Sequence, residues 1–237
     1  MTGAVSLSSL TFGYGSSPVF RGLSVEFAAG EFTCVLGPSG CGKSTLLQAI
    51  GGFRLPQAGE VRLSGKPAVV FQKHNLFPWK TALENVALGL RSAGMAADAA
   101  DKAARESLES VGLGDKARSY PGELSLGQQQ RVGIARAFSL QAPVLLMDEP
   151  FGALDAQTRL RMQQLLLGIW SKSKPTVIFV THDIDEAILL GDRVLVLSGA
   201  PAGICADIRV RAERPRHFES LALPELAALR KKIFDLL

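Results

Sequence analysis

A glycine-rich loop that follows a short apolar run constrains the fold of this chain more than any other feature of its sequence. Residues 37–45 read GPSGCGKST, directly after the run FTCVL at 32–36. Glycines let successive backbone N–H groups point into one concavity, and the lysine adds a cation where the β and γ phosphates of a nucleotide lie. The helix start that follows also favours an anion. The loop therefore predicts a strand, a phosphate-binding turn and a helix in succession.

Every residue of this loop is a candidate nucleotide ligand. We expect Lys43 to contact the phosphates and the Ser44 hydroxyl to bind Mg²⁺, with a helix over residues 45–50. The candidate ligands are Gly37, Pro38, Ser39, Gly40, Cys41, Gly42, Lys43, Ser44 and Thr45. A glycine turn that binds nothing is the alternative, and the motif does not specify the reaction.

Composition limits the class of protein. The 237 residues are 47% hydrophobic and 20% charged, which predicts a folded chain with a sizeable core. The net charge of +4 comes from dispersed basic residues, so we expect a solvated surface and no nucleic-acid partner. The three cysteines lack metal-ligand or paired spacing, which favours a reduced, cytoplasmic setting.

The sequence also lacks membrane signals of its own. The amino terminus MTGAVSLSSL has no basic region followed by an apolar stretch, and no apolar run approaches the ~18 residues that span a bilayer. If the protein works at a membrane, we expect another chain to cross it.

Short apolar runs predict a buried parallel sheet whose strand ends carry polar residues. The runs lie at 32–36, 144–147, 177–180 and 194–197. The first leads into Gly37, the second into Asp148 and Glu149, and the third into Thr181 and His182. Because ligands gather at the carboxyl ends of parallel strands, we expect these separated segments to converge.

The converging polar residues have distinct expected roles. Asp148 supplies an oxygen ligand for Mg²⁺, and Glu149 is free to orient and polarise an attacking water. His182 is placed to hydrogen-bond the γ-phosphate or that water, and Gln72, after the run VVF, to reach Mg²⁺ and water. The alternatives are an exposed acidic pair and a structural histidine.

A second anion site is predicted at residues 124–131, which read LSLGQQQR and open a helix that continues over 132–140. Ser125 is a candidate cap, and the N–H groups of the first turn are available to an anion. Each bound nucleotide, however, has only one γ-phosphate, which this helix start and the glycine-rich loop would have to share.

In their order, these motifs resemble the nucleotide-binding subunit of an ATP-binding cassette (ABC) transporter, with a match from about residue 4 to 200. The loop corresponds to the Walker A motif, Gln72 to the Q-loop, LSLGQ to the signature, VLLMDE to Walker B, residues 153–155 to the D-loop and His182 to the switch histidine. The resemblance implies adenine stacking on Tyr14, with nearby Phe12 as the alternative. It implies ATP contacts from Ser125, Gly127, Gln128 and Asp155, catalysis by Lys43, Gln72, Glu149 and His182, and Mg²⁺ ligation by Ser44, Gln72 and Asp148.

The resemblance also implies a fold. We expect an α/β P-loop NTPase core, a mixed and mostly parallel sheet flanked by helices, with an N-terminal antiparallel β layer and an inserted α-helical subdomain. The ATPase domain would span residues 1–200, with the helical subdomain at about 80–140. Residues 201–237 would form a short extension packed on the core, where Leu226, Leu229, Ile233 and Leu236 share one face of a helix after Pro224.

One position departs from the family pattern. The signature usually has glycine where this chain has Leu126. Leucine keeps its backbone N–H, so phosphate binding survives unless the position requires a positive φ, which costs a residue with a Cβ ~1–2 kcal/mol. We expect activity, with the rate or coupling open to change.

By this resemblance, two copies pack head to tail, and each ATP lies between the phosphate loop of one copy and the signature of the other. Ser125 and Gly127 would then act in trans. The segments FQKHNLFPWKTALENVALGL, PFGALDAQTR and THDIDEAILLGDRVLVLS resemble bacterial importers of nitrate, taurine and aliphatic sulfonates. Such subunits work with a transmembrane permease and, indirectly, a substrate-binding protein, as peripheral proteins on the cytoplasmic face of the inner membrane.

Two questions stay open at this point. Phe77 and Trp79 follow the Q-loop, where such subunits meet a permease, but they are equally compatible with core aromatics. The alternative function is a soluble cassette ATPase in DNA repair or translation, although the chain lacks the heptads or second cassette common there. Neither a kinase nor a GTPase explains the signature at residues 124–128, and the sequence has no Asn-Lys-x-Asp guanine-recognition motif. The sequence does not identify the transported solute.

Overall fold

The structure is a computed structural model that describes residues 4–14, 17–72, 75–199 and 201–237. Its described part divides into two compact units. The first comprises the chain up to Pro67 with Pro143–Glu149 and Lys174–Leu237, and the second comprises Ala68–Ala142 and Pro150–Ser173.

Elements of both sheets and three helices belong to the first unit. They are β1 (Val5–Tyr14), β2 (Ser17–Phe27), β3 (Phe32–Leu36), α1 (Lys43–Ile50), β4 (Ala58–Leu63), β6 (Val144–Asp148), β7 (Thr176–Thr181), α6 (Ile184–Leu190), β8 (Arg193–Ser198), β9 (Gly203–Arg209) and α7 (Pro224–Phe234). The second unit contains β5 (Ala68–Val70), α2 (Ala82–Ser92), α3 (Ala97–Ser110), α4 (Leu126–Ser139) and α5 (Ala156–Ser173).

A mostly parallel sheet forms the core of the first unit. Its strands lie in the order β6, β7, β3, β8 and β9, and only the pairing of β8 with β9 among these is antiparallel in the described chain. Every residue of β3 and β7 is buried, as expected for strands covered on both faces. The predicted fold class is confirmed, and the ends of β3, β6 and β7 meet at one edge of the sheet.

The predicted antiparallel layer is a separate sheet in the same unit, with the strand order β2, β1 and β4. The sequence analysis missed β4. Its burial pattern, with mostly exposed residues, lacks the clean alternation that marks β2, where Leu23, Val25 and Phe27 are buried.

Helices form the second unit around a core of their own. The central residues of that core include Val86 and Leu90 of α2, Ala104 and Leu108 of α3, and Val132 of α4. α2 begins with a capping box in which Thr81 Oγ1 accepts from the Glu84 N–H at 3.3 Å and Glu84 Oε2 accepts from the Thr81 N–H at 2.7 Å. Both α2 and α3 lie within residues 80–140, where helices were expected.

The C-terminal segment ends in the predicted helix, α7. Leu226 and Ile233 are buried and Leu229 is half-buried, so this face packs on protein, whereas Leu236 lies beyond the helix end at Phe234. Over the described ranges of the chain, no helix has both the length and the apolar character needed to cross a membrane.

Candidate nucleotide site

The glycine-rich loop connects β3 to α1 and turns through left-handed backbone conformations. Gly40 has φ 81° and Gly42, the residue before α1, has φ 100°. A Cβ built on Gly42 would lie 2.5 Å from Val19 Cγ1, so a side chain there is excluded by both conformation and space. Gly42 also leaves the helix start without a side-chain cap. The orphan N–H groups of a helix start therefore remain available to a phosphate at this end of α1.

Lys43 places its ammonium group inside this loop. The side chain is 5% exposed, and Nζ donates to Gly37 O at 2.8 Å and to Pro38 O at 3.0 Å. Nζ also lies 3.8 Å from Glu149 Oε1. The loop carbonyls thus hold the cation in the centre of the loop, where phosphate oxygens can replace them as partners.

Ser44 and Asp148 form a pair of oxygen donors beside the loop. The Ser44 hydroxyl donates to Asp148 Oδ1 at 2.9 Å. Burial raises the pKa of the Asp148 carboxyl, and the hydrogen bond from Ser44 opposes that rise. A partly buried carboxylate beside a hydroxyl is the donor set that Mg²⁺ prefers, and a cation would offset the cost of burying the charge. The two residues fit the predicted metal role.

A left-handed turn separates the adjacent acids. Glu149 has φ 42°, a conformation unusual for a residue with a side chain, and its N–H donates to Val180 O at 3.0 Å. Its carboxylate lies beside His182, whose Nδ1 is 3.1 Å from Glu149 Oε2, whereas Asp148 bonds to Ser44. Backbone strain of this kind concentrates at functional sites. Nothing in the sequence around Glu149 predicts this turn.

The residues around His182 are fixed by local hydrogen bonds, while its imidazole is 55% exposed. Thr181 Oγ1 accepts from the Asp183 N–H at 3.0 Å, and the Thr181 hydroxyl donates to the Glu186 carboxylate. Asp183 Oδ1 caps α6 by accepting from the Glu186 N–H at 3.1 Å. These hydrogen bonds hold the backbone on both sides of His182 in place, while the exposed imidazole ring stays accessible to a ligand.

Tyr14, and not Phe12, presents an aromatic ring at the surface. Tyr14 is 45% exposed, whereas Phe12 is buried and meets Tyr14 edge to face. The Tyr14 hydroxyl donates to Gln48 Oε1 at 3.1 Å, and the Arg54 guanidinium lies 4.9 Å from the ring centroid. Sequence reasoning missed Arg54, because an isolated arginine carries no signal. This geometry favours Tyr14 as the residue that stacks on adenine.

In the second unit, the signature forms the start of α4. Ser125 is the N-cap: its Oγ accepts from the Gln128 N–H at 3.3 Å, and Gln128 Oε1 accepts from the Ser125 N–H at 2.9 Å. The helix begins at Leu126, so residues 126–131 belong to it rather than preceding it. Leu126 is helical, has no positive φ and is 55% exposed. Leu126 therefore does not carry the backbone strain that a positive φ would impose.

The D-loop residue Asp155 lies near the signature within this unit. Its Oδ1 accepts from the Thr158 N–H at 3.0 Å, at the start of α5. A Cβ built on Gly127 would lie 3.1 Å from Thr158 Cγ2, so the glycine allows close packing there. Asp155 thus has a capping role that the sequence analysis did not consider, and its contact with nucleotide stays a prediction.

The Q-loop and the aromatic residues after it are also in the second unit. Gln72 is exposed, two residues beyond the end of β5. Phe77 is 36% and Trp79 is 70% exposed, with ring centroids 5.5 Å apart, and the Asn85 side chain fixes the Phe77 backbone through bonds of 2.7 and 3.2 Å. The exposure of Trp79 does not fit the alternative of a core aromatic.

Comparisons with known proteins agree with this architecture. A family model described as ABC transporter matches residues 20–152. The taurine import ATP-binding protein TauB of Chromobacterium violaceum is 44% identical over 231 residues, covering 92% of this chain and 88% of the relative. The nitrate import ATP-binding protein NrtD of Synechococcus elongatus is 44% identical over 227 residues, covering 91% and 82%.

A solved structure is similar as well. It is a dimeric post-hydrolysis state of the ATP-binding cassette MJ0796 bound to ADP and Pi, 34% identical, with a TM-score of 0.77 over 88% of this chain and 100% of that one. The sequence matches, the fold and the arrangement of the phosphate loop beside its acidic and histidine partners all indicate the same family. The chain therefore belongs to the ABC transporter family, and it is an ATPase of that family.

Proposed function

We propose that this chain binds and hydrolyses ATP, as one half of a head-to-tail dimer, to drive import of a small solute such as nitrate, taurine or a sulfonate through a separate permease. The observation that carries the catalytic part is the placement of Glu149 between Lys43 and His182, at 3.8 and 3.1 Å, beside the loop. One carboxylate there contacts both the phosphate-binding cation and the histidine.

On this proposal, each group has a role in the reaction. Lys43 exchanges its loop carbonyls for phosphate oxygens, and Glu149 orients a water in line with the γ-phosphorus. The water oxygen bonds to phosphorus, the bond from phosphorus to the oxygen shared with the β-phosphate breaks, and the water proton passes to the departing phosphate by way of the carboxylate. His182 holds the carboxylate in place. Ser44 and Asp148 would hold Mg²⁺, with Gln72 proposed as a further ligand, and the ion would neutralise charge on the phosphates.

The signature and the dimeric relative support the proposed dimer. Ser125 and Leu126 are exposed at the start of α4, and their helix start is a second site for phosphate oxygens. In the proposed dimer, Ser125, Gly127 and Gln128 of one copy close over the ATP held by the loop of the other, next to Asp155. Tyr14 stacks on the adenine. An isolated monomer should hydrolyse ATP poorly.

The partners on this proposal are a second copy, the permease and, indirectly, a substrate-binding protein. Phe77 and Trp79 form an exposed aromatic pair suited to a permease helix. The protein would lie peripherally on the cytoplasmic face of the membrane. We favour a role in import over a role in DNA repair or translation, because the relatives TauB and NrtD are both named as import ATP-binding proteins.

The test is reconstitution with the neighbouring permease and binding protein in vesicles, with ATP turnover measured against a panel of nitrate, taurine and alkanesulfonates. We expect one solute class to stimulate turnover and to accumulate, and Glu149→Gln to abolish both. Glu109→Gln, an exposed change on α3, is the matched control and should have no effect. ATP turnover that no solute stimulates would refute the import assignment, and full turnover in Glu149→Gln would remove Glu149 from its role.

A further inference from the structure

Arginines of the C-terminal segment contact both ends of α6, the short helix that directly follows His182. Arg214 and Arg216 lie in the loop after β9, and Arg230 lies on α7. The proposed ATPase function assigns these residues no role, and the sequence analysis treated residues 201–237 only as a packed extension.

At the C-terminal end of α6, the arginines satisfy backbone carbonyls. Arg216 is 5% exposed, and its Nη1 donates to Ile188 O at 2.9 Å and to Gly191 O at 2.6 Å. Arg214 donates to Leu190 O and, through Nε, to Asp192 Oδ1 at 2.9 Å. The last carbonyls of a helix have no partners within it and carry the negative end of its dipole, so buried cations there fix the helix end.

Burial lowers the pKa of Arg216 to about 10, and repulsion from Arg214 contributes. The guanidinium therefore stays charged at neutral pH. A persistent charge that donates to several carbonyls holds the end of α6 more firmly than neutral packing would.

At the N-terminal end of α6, Arg230 makes a two-point contact. Its Nε lies 2.6 Å from Asp185 Oδ1, and its Nη2 donates to Oδ2 at 3.0 Å. Asp185 is in the first turn of the helix, three residues after His182. Through Arg230, α7 therefore contacts the end of α6 that is nearer His182.

The same helix is linked to the histidine backbone. The Glu186 carboxylate accepts from Thr181, and Asp183 accepts from the Glu186 N–H, so residues on both sides of His182 are bonded to α6. A shift of α6 would therefore displace Nδ1 of His182 from its position 3.1 Å from Glu149. Positioning errors of this kind reduce the chemical step more than substrate binding.

We propose that Arg214, Arg216 and Arg230 are positioning residues for ATP hydrolysis, which hold α6 at both ends and so keep His182 against Glu149. This inference rests on the proposed role of His182. On this view the C-terminal segment is required for turnover although it contacts no nucleotide.

The test uses the full chain with the partially exposed Arg230, whose replacement should not prevent folding. Arg230→Ala should lower kcat about threefold, because the ion pair that it removes is partly exposed to solvent and therefore of modest strength. The KM for ATP should stay within about 1.5-fold of the wild-type value. Lys232→Ala, an exposed cation on the same helix, is the matched control and should leave both unchanged. The exchanged pair Asp185→Arg with Arg230→Asp should recover most of the lost kcat.

A spectroscopic readout separates positioning from stability. The imidazole NMR signal of His182, assigned with His182→Asn, should shift in Arg230→Ala and return in the exchanged pair, with no change in Lys232→Ala. Arg216→Lys keeps the charge but cannot reach the same set of carbonyls, so it should lower kcat at least as much as Arg230→Ala.

The outcomes distinguish the inference from the function on which it rests. If His182→Asn loses turnover but Arg230→Ala and Arg216→Lys keep wild-type kcat and an unshifted His182 signal, the positioning role is overturned and the proposed function stands. If His182→Asn hydrolyses ATP at the wild-type rate, the proposed role of His182 and the positioning role both fail, while the ATPase assignment is tested separately by Glu149→Gln.

Discussion

The strained backbone at Glu149 gives a stability prediction that can be worked from the structure. Glu149 has φ 42°, in the left-handed region that a residue with a Cβ enters at a cost of ~1–2 kcal/mol. Glu149→Gly and Glu149→Ala remove the same carboxylate and the same contacts with Lys43 and His182. The difference between these variants therefore isolates the backbone conformation.

The expected difference has a definite sign. Glycine avoids the strain of ~1–2 kcal/mol, but its greater freedom in the unfolded chain favours alanine by ~0.4–1 kcal/mol. Subtracting the two ranges leaves Glu149→Gly more stable than Glu149→Ala by ~0–1.6 kcal/mol, with a central value of about 0.8 kcal/mol. For a chain of this size, that difference corresponds to a melting temperature about 1–4 °C higher.

Differential scanning calorimetry of the nucleotide-free variants measures this difference. The control is Lys102, an exposed position within α3, where the order must reverse and Lys102→Ala must be more stable than Lys102→Gly by about 1 kcal/mol. A melting temperature for Glu149→Ala equal to or above that of Glu149→Gly would refute the argument that this site stores backbone strain. Both Glu149 variants should lose ATP hydrolysis.

Further predictions concern the metal ligand, the signature and the aromatic pair. Burial raises the pKa of Asp148 above its ordinary value of 3.8, so the folded chain holds that proton more tightly and loses stability as pH rises through the window above 3.8. The melting temperature of Asp148→Asn relative to wild type, without nucleotide, should therefore increase from about pH 4 to pH 7, and a relative decrease would contradict this sign. Leu126→Gly should keep ATP turnover within about twofold in a steady-state assay, since Leu126 is already helical; a large gain would show that its side chain obstructs the site. Replacing Phe77 and Trp79 with alanine should abolish solute-stimulated turnover and spare basal hydrolysis, whereas Phe218→Ala, another exposed aromatic, should change neither; intact coupling would refute docking.

The sequence predicted the parts of the fold that carry strong local signals. The buried runs at β3, β6, β7 and β8 have the apolar composition of strands covered on both faces, and each became a strand. Ser125 was predicted as a cap, because serine is a preferred N-cap residue, and it caps α4. β4 and β9 carry mixed burial and no clear period, and the sequence analysis did not identify them.

The sequence predicted that these strand-end residues converge, but it did not predict their mutual contacts. Lys43, Ser44, Asp148, Glu149 and His182 come together because the ends of neighbouring strands do. The positive φ of Glu149, the loop carbonyls around Lys43 and the arginines around α6 depend on tertiary packing. Such contacts join residues far apart in the chain and leave no mark on the local pattern.

The most direct test of the account is the mass of Glu149→Gln in solution, measured by light scattering with and without Mg²⁺ and ATP. We expect 25.2 kDa without nucleotide and about twice that mass with ATP bound. Adding Ser125→Asp, which keeps the helix cap but places a carboxylate where the γ-phosphate of the other copy would lie, should leave ATP bound and the chain monomeric. Glu149→Gln that binds ATP yet remains at 25.2 kDa would contradict the claim that each chain holds only half of an ATP site.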